Sequence, residues 1–199
     1  MRGLGAFCGQ RLVVILLGRF GVERQVELVA PAEFEPRFRQ RIIADLGRWV
    51  PLGEPQDYLT WVGRIVPNKG LAEAIQAARK ARVRLRIFGP VEDAGYFTEK
   101  VEPFLSEGIE FHGHRSGDRL RAEVAGAQAA LVTPLWDEPF GLVAAEALAC
   151  GTPVAGFDRG ALSEVVGDCG VLVPGGDIGA LAHAIRKVRR IDRAACRAR

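Results

Sequence analysis

Residues 129–157 read A-A-L-V-T-P-L-W-D-E-P-F-G-L-V-A-A-E-A-L-A-C-G-T-P-V-A-G-F, and this stretch decides the fold. The short apolar run 129–133 predicts a buried strand, and the longer apolar stretch 140–150 predicts a buried helix. A second short apolar run, 154–157, follows the break G-T-P and predicts the next strand. A strand, a helix and a strand in this order predict a right-handed crossover between two parallel strands.

The same alternation of short apolar runs, Gly or Pro breaks and helical stretches begins at Tyr58 and continues along the chain. It predicts an α/β fold, a Rossmann-like doubly wound parallel sheet of about six strands with helices on both faces. The other predicted strands are 59–62, 83–88, 109–112 and 171–173. The other predicted helices are 71–80, 96–105, 119–126, 162–166 and 178–191.

Residues 1–57 do not continue this alternation. Residues 11–18, R-L-V-V-I-L-L-G, predict one strand, residues 33–46 predict a polar helix, and 51–57, P-L-G-E-P-Q-D, is typical of a linker. We therefore predict that 1–57 is a partial or truncated N-terminal segment with its linker, and that 58–199 is a ligand-binding domain.

The composition is that of an ordinary soluble globular protein, because 48% of the 199 residues are hydrophobic and 26% are charged. The longest strongly apolar run, Leu12 to Leu17, is too short to span a bilayer. The four cysteines form no C-x-x-C motif, which favours reduced thiols and a cytoplasmic location. His112 and His114 form a close pair, but no Cys, Asp or Glu cluster nearby has the spacing of a metal site. We therefore expect no bound metal.

The net charge of +3 is concentrated at the C-terminus, since residues 185–199 contain seven Lys or Arg residues against one acid, Asp192. The rest of the chain is slightly acidic, which argues against a nucleic-acid partner. The basic tail could touch an anionic membrane surface or a nucleic acid, but a solvated helix end is the favoured interpretation.

Charged residues and glycines follow several predicted strands at their carboxyl ends, where parallel α/β sheets bind ligands. Arg64 and Lys69 lie in the loop G-R-I-V-P-N-K-G, and suit phosphate as a planar fork and a point charge. Gly89 follows the next strand and Arg115 the one after it. Each of these residues alone could be an ordinary solvated loop residue. The loops contain neither G-x-G-x-x-G nor G-x-x-x-x-G-K-[ST], so a dinucleotide fingerprint or a P-loop is not supported.

Two carboxylates, Glu138 and Glu146, bracket the segment E-P-F-G-L-V-A-A-E. If the helix begins near Phe140, its first amides point outward as an anion site. The two carboxylates would then lie about 12 Å apart along one helix and roughly 80° apart around it. Glu146 interrupts an apolar run, so its charge requires hydrogen-bonding partners. A nucleotide diphosphate sugar has the matching layout. The alternative is that Glu138 is favoured by the helix dipole and Glu146 is an exposed face residue.

Several ordered motifs between Trp61 and Val173 together resemble the C-terminal, donor-binding domain of the family-4 retaining glycosyltransferases of GT-B architecture. They are V-G-R-I-V-P-N-K-G at 62–70, I-F-G-P at 87–90, E-P-F-G-L-V-A-A-E-A-L-A-C-G-T-P-V at 138–154, G-A-L-S-E-V-V at 160–166 and G-V-L-V-P at 170–174. The resemblance implies that Glu138 lies beside the transferred sugar, and that Arg64 and Lys69 neutralise the diphosphate. These are the three catalytic residues it implies.

The resemblance also implies a set of donor-binding residues. Glu146 matches the carboxylate that takes the ribose hydroxyls, and Arg115 matches a position whose backbone contacts the base. The full set is Gly63, Gly89, Arg115, Phe140, Gly141, Leu142, Val143 and Glu146.

The implied reaction transfers a sugar from a nucleotide diphosphate sugar to an acceptor hydroxyl with retained anomeric configuration, without a required metal or other cofactor. The acceptor class, whether a sugar, a lipid-linked glycan or a small molecule, is not determined. Relatives carry an acceptor-binding N-terminal domain, so an additional domain or a partner chain is expected to supply that half. Two alternatives are a module that binds nucleotide sugars without transfer and a GT-B-like sugar-nucleotide epimerase, although the E-P-F-G context argues against the second.

Overall fold

The computed structural model of the chain describes residues 10–17, 23–30, 46–106 and 108–198. Strand β1 (Gln10–Leu17) pairs antiparallel with β2 (Glu23–Ala30), with Gln10 opposite Ala30. The first strand was predicted within one residue at each end, whereas the second was not predicted. The polar helix predicted over 33–46 lies outside the described residues except at its last position.

The main sheet has six strands in the order β5-β4-β3-β6-β7-β8, and every adjacent pair is parallel. The predicted fold class is therefore confirmed. The strands are β3 (Leu59–Val62), β4 (Leu85–Phe88), β5 (Ile109–Phe111), β6 (Ala129–Val132), β7 (Val154–Phe157) and β8 (Gly170–Val173).

Helices cover both faces of this sheet, as alternating strands and helices require. In chain order they are α1 (Leu71–Ala81), α2 (Ala94–Lys100), α3 (Gly117–Gly126), α4 (Leu142–Ala149), α5 (Leu162–Val166), α6 (Ile178–Val188) and α7 (Arg193–Ala198). One apolar cluster packs α1, α2 and α6 against the sheet, and a second packs α3, α4, α5 and α7 against it.

The alternation of side chains along each strand divides the core between these two clusters. In β3 the fully buried Trp61 belongs to the cluster with α1 and α6, and Val62 packs against the cluster with α4. In β6 Leu131 and Val132 divide in the same way. The helices α1 and α4 therefore lie on opposite faces beside neighbouring strands, and both begin at the carboxyl edge of the sheet.

Four helix predictions were wrong by two or more residues at a bound. α3 begins at Gly117 rather than at 119, and α6 ends at Val188 rather than at 191. The helix predicted over 96–105 is α2 followed by a separate 3-10 turn (Glu102–Phe104), because Pro103 lacks the amide that a continuous helix needs. The helix predicted from Phe140 begins at Leu142, since Gly141 has a φ of 61° in the left-handed region and ends the preceding loop. Glu138 therefore lies in a loop, and the predicted placement of both glutamates on one helix was wrong.

Candidate active site

A cavity of about 250 Å³ opens where β3 and β6 end and α4 begins. β3 and β6 are neighbours in the sheet, and the strand order reverses between them, which is the position where open α/β sheets bind ligands. Backbone and side-chain atoms from all three elements form its wall. The lining residues are Trp61, Val62, Gly63, Arg64, Lys69, Leu131, Val132, Thr133, Pro134, Glu138, Gly141, Leu142 and Val143.

Most of the residues predicted for the site lie around this single cavity. The ones that line it are Gly63, Arg64, Lys69, Glu138, Gly141, Leu142 and Val143. The ones outside its lining are Gly89, Phe140, Glu146 and Arg115.

Lys69 and Glu138 form an ion pair in the cavity, with 2.8 Å between Nζ and Oε2. Their side chains retain 22% and 16% of their exposure, so the pair is partly withdrawn from water. The Lys69 ammonium also lies 5.0 Å from the centre of the Trp136 ring, within the range of a cation–π contact. A carboxylate and an ammonium are therefore held side by side, and each partly neutralises the other.

The loop that carries Lys69 is attached to the segment after β6. The Thr133 hydroxyl donates to the Gly70 carbonyl at 2.8 Å and accepts from the Trp61 indole Nε1 at 3.1 Å. A second hydrogen bond joins the same two segments, since the Leu135 amide donates to the Asn68 carbonyl at 2.9 Å. Thr133 was not predicted as a site residue, and its position as the last, polar residue of the predicted strand 129–133 was the available signal.

The backbone of Glu138 is held by the segment after β7. The Ala161 amide donates to the Glu138 carbonyl at 2.8 Å, and Gly160 packs directly against the Glu138 backbone. Both belong to the motif G-A-L-S-E-V-V, whose contact with Glu138 could not be read from the spacing alone. The position of this carboxylate thus depends on a segment more than twenty residues further along the chain.

Arg64 lines the cavity but its guanidinium is more than half exposed and pairs with Glu92 at 2.9 Å. Its loop is fixed by two backbone hydrogen bonds to the end of β4, from the Gly63 amide to Phe88 and from the Ile65 amide to Pro90. An exposed pair of this kind contributes little stability, so Arg64 can exchange Glu92 for a ligand anion at small cost.

Gly89 serves the backbone at this edge of the sheet. A Cβ at this position would lie 1.7 Å from the Gly63 carbonyl oxygen, so the two loops can approach only without a side chain. The Gly89 amide donates to the Gly113 carbonyl at 3.0 Å. Gly89 thus joins the loops after β3 and β5.

The first turn of α4 faces the cavity through Leu142 and Val143. The first amides of a helix have no acceptor within the helix, and among the described residues no side chain caps α4, whose N-cap is Gly141. The helix dipole adds partial positive charge there. Phe140 precedes the helix and packs against the core on the α4 face, so the prediction that it belongs to the first turn was wrong.

Glu146 lies four residues after Leu142 and three after Val143, on the helix face that continues from the cavity. Its side chain is half-buried and interacts with neighbouring groups. One turn further on, burial raises the pKa of the Cys150 thiol to about 12, while Arg197 and Arg193 lower it less and Glu146 adds to the rise. Cys150 is therefore a protonated, unreactive core residue.

Arg115 lies apart from the cavity. Its Nη1 donates to Glu123 on α3 at 2.7 Å, and its guanidinium lies 5.5 Å from the centre of the Phe88 ring. His112, one of the two histidines that form a close pair in the sequence, pairs with Glu110, with 2.9 Å between Nε2 and Oε2. Throughout the part of the chain that the structure describes, no three His, Cys, Asp or Glu side chains are gathered as a metal site. Within the same residues, no helix has the length and apolar character needed to cross a membrane.

Comparison with known proteins relates this architecture to one family. Residues 56–190 match the family described as glycosyl transferases group 1. The chain is 30% identical over 142 residues to alpha-maltose-1-phosphate synthase of Mycolicibacterium smegmatis, which covers 67% of this chain and 36% of that protein. It is 32% identical over 169 residues to D-inositol 3-phosphate glycosyltransferase of Rhodococcus opacus, covering 76% of this chain and 37% of that protein.

Solved structures give the same result. AviGT4, a glycosyltransferase involved in avilamycin A biosynthesis, superposes with a TM-score of 0.69 at 30% identity, covering 77% of this chain and 48% of that one. The chain thus spans little more than a third of the length of these curated relatives and about half of this solved chain.

Proposed function

The chain belongs to the group 1 glycosyltransferases, and from this premise we propose that its cavity binds a nucleotide diphosphate sugar and serves sugar transfer to an acceptor hydroxyl with retained configuration. The observation that carries the proposal is the Lys69–Glu138 pair beside the first turn of α4, at the switch point of the sheet. Cationic, anionic and amide groups there match a diphosphate joined to a polyhydroxylated ring.

The diphosphate is assigned to Lys69, Arg64 and the amides of Leu142 and Val143. These groups come from the loop after β3 and from the first turn of α4, which converge on the cavity. As the bond between the sugar and the diphosphate breaks, negative charge grows on the leaving group. Fixed cations and amides stabilise that charge more than they stabilise the intact donor, which is the condition for faster transfer.

The two carboxylates are assigned to the two ends of the donor. Glu138 lies in the cavity lining, in the loop before α4, and accepts hydrogen bonds from the transferred sugar. Glu146 lies one turn along α4 and accepts hydrogen bonds from the ribose. The base then lies toward the loops that contain Gly89 and Arg115. In this assignment the acceptor attacks from the face that the diphosphate leaves, so no side chain has to act as a covalent nucleophile.

The acceptor, the need for a cofactor and the location of the protein complete the proposal. The acceptor is a sugar, a lipid-linked glycan or a small molecule, and an additional domain or partner chain presents it. The protein's own cations neutralise the diphosphate, so the reaction is proposed to need neither a metal ion nor another cofactor. A cytoplasmic location is proposed from the unpaired, buried thiols of Cys150, Cys169 and Cys196.

The test is a panel of uridine, guanosine and adenosine diphosphate sugars, with melting temperature and sugar transfer as readouts. A donor at about a hundred times its Kd should raise the melting temperature by about 5–10 °C. Arg64→Ala and Glu146→Ala should each remove most of that rise, whereas Arg190→Ala, an exposed change in the tail, should keep it. A full rise in both site variants would refute the assignment. If the protein binds a donor but transfers its sugar to no acceptor, even with the acceptor-binding half added, the alternative of a module that only binds nucleotide sugars would be supported.

A further inference from the structure

Residues 113–117 read G-H-R-S-G, run from the loop after β5 to Gly117, the first residue of α3, and have glycines with positive φ at both ends. His114 and Ser116 are exposed, but Arg115 is half-buried. The two glycines have no side chain and the His114 and Ser116 side chains are exposed, so few side-chain contacts order this segment. The Arg115 side chain is therefore the main side-chain attachment between this loop and the body of the protein.

Glu123 on α3 receives that attachment. Its Oε1 accepts from Arg115 Nη1 at 2.7 Å, and its Oε2 accepts from Arg86 Nη1 at 3.0 Å. The Glu123 side chain is 18% exposed, so both hydrogen bonds are partly shielded from water. The Tyr58 hydroxyl donates to the Glu123 backbone carbonyl at 2.8 Å, which fixes this turn of α3 as well.

The partner of Glu123 on the sheet, Arg86, is itself held in place. Its guanidinium lies 4.0 Å from the centre of the Tyr58 ring and 3.5 Å from Glu110. Burial lowers the pKa of the Arg86 guanidinium, but the hydrogen bond and charge of Glu123, together with the charges of Tyr58 and Glu110, outweigh burial, and the pKa is raised. Arg86 is therefore a permanent cation on a strand of the sheet, and Glu123 joins it to Arg115, the cation of the segment 113–117.

We propose that Glu123 is a positioning residue for donor binding, which holds Arg115 against Phe88 so that the backbone of 113–117 forms a fixed edge for the nucleotide base. This inference rests on the proposed function and deepens it by naming what determines base selectivity. A loop ordered before binding does not lose conformational entropy when the base arrives. The neutral Glu123→Gln variant keeps the size of the side chain but loses the charge that both arginines share.

The experiment uses the full chain, with Glu123→Gln, Arg115→Met and the double variant. Amide hydrogen exchange of 113–117 without ligand should speed up in all three. The Kd for the preferred nucleoside diphosphate should rise about ten-fold, and the preference between uridine, guanosine and adenosine diphosphates should narrow. The double variant should bind the nucleotide no more weakly than the single variants, since each single change already removes the same Arg115–Glu123 contact. In transfer assays the donor KM should rise, while kcat should stay within about two-fold of the wild-type value.

The matched control is Glu99→Gln, the same chemical change at an exposed position of α2. It should leave exchange, affinity and base preference at wild-type values. Unchanged affinity and base preference in Glu123→Gln, with wild-type protein that binds the nucleotide, would overturn the inference alone. Wild-type protein that binds none of the three nucleoside diphosphates would overturn the proposed function and this inference together.

Discussion

The central residue-level feature of the site is that its half-buried cation, Lys69, and its half-buried anion, Glu138, are paired with each other. Lys69 and Glu138 lie 2.8 Å apart while their proposed ligand groups, the diphosphate and the sugar, are different parts of the donor. Binding therefore exchanges one partly shielded ion pair for two sets of ligand contacts. The attraction between the two residues compensates for the water that each charge loses in the cavity. Glu138 also competes with the donor for Lys69.

Glu138→Gln should separate the role of Glu138 as the partner of Lys69 from its proposed role beside the transferred sugar. Without the carboxylate, Lys69 has no competing anion, so the nucleoside diphosphate alone should bind about three- to ten-fold tighter. Sugar transfer should fall by about a hundred-fold or more, because the group proposed to lie beside the transferred sugar is changed. Calorimetry with the nucleoside diphosphate and a turnover assay provide the measurements.

The control for this change is Asp137→Asn, which removes the same charge at the neighbouring position. The Asp137 side chain is 81% exposed and lies 3.9 Å from Arg159 rather than at Lys69. It should leave both affinity and turnover near wild type. Equal tightening in both variants would mean that net charge, rather than the Lys69 contact, controls nucleotide binding.

The site residues that could be predicted from the sequence are those whose type is unusual for their place. Arg64, Lys69 and Glu138 were found because they follow predicted strands on one edge of the sheet, and the structure gathers them around one cavity. Their pairing was not predictable, since Lys69 and Glu138 are 69 positions apart and Arg64 and Glu92 are 28 apart. Such contacts depend on side-chain directions that periodicity does not determine.

At the scale of elements, the position of Glu138 depends on the turn that follows β7. Gly160 has a φ of 59°, and a Cβ there would lie 2.2 Å from the Glu138 carbonyl oxygen and 2.6 Å from its amide nitrogen. The turn and the loop before α4 are therefore in direct backbone contact. A side chain at 160 cannot be accommodated unless the Glu138 backbone moves.

Gly160→Ala tests this contact against Gly176→Ala, which is also at positive φ but has no atom within 4 Å of the added Cβ. Both variants should lose roughly 1 kcal/mol of stability from backbone strain. Gly160→Ala should lose more, and it alone should lower turnover by at least about ten-fold, since it displaces Glu138. Urea unfolding and turnover measure the two effects. Equal losses in both variants would contradict a positioning role for the turn.

The elements themselves were largely predictable, because short apolar strands and longer helical stretches differ in period and are separated by Gly or Pro. The errors came from local backbone conformation. Gly141 reads as one more small residue in the apolar stretch, yet its left-handed φ begins the helix two residues later than predicted. Strand β2 was missed because apolar and charged residues alternate over only three of its eight residues, 26–28.

At the scale of the whole molecule, the short helix α7 fastens the C-terminal segment to the face that carries α4. Arg193 donates to the Ala125 and Ala127 carbonyls at the end of α3, and to the Thr152 hydroxyl. Arg197 donates to the Trp49 and Ala149 carbonyls, the second at the end of α4. These two cations of the tail thus satisfy helix carboxyl ends, a role that the net charge could not reveal. Contact of the remaining exposed cations with a membrane stays a prediction.

The fastening predicts that loss of Arg193 destabilises the protein without weakening its site. Arg193→Met leaves two carbonyls and a hydroxyl without their donor in a partly buried position, so the free energy of unfolding should fall by about 2–4 kcal/mol. Arg190→Met, an exposed change in the same tail, should stay within about 0.5 kcal/mol of wild type. Urea unfolding gives both values, and the nucleoside diphosphate Kd should be unchanged in each variant, since α7 contacts the far end of α4. If Arg193→Met were as stable as Arg190→Met, the hydrogen bonds of Arg193 would contribute nothing to the stability of the fold.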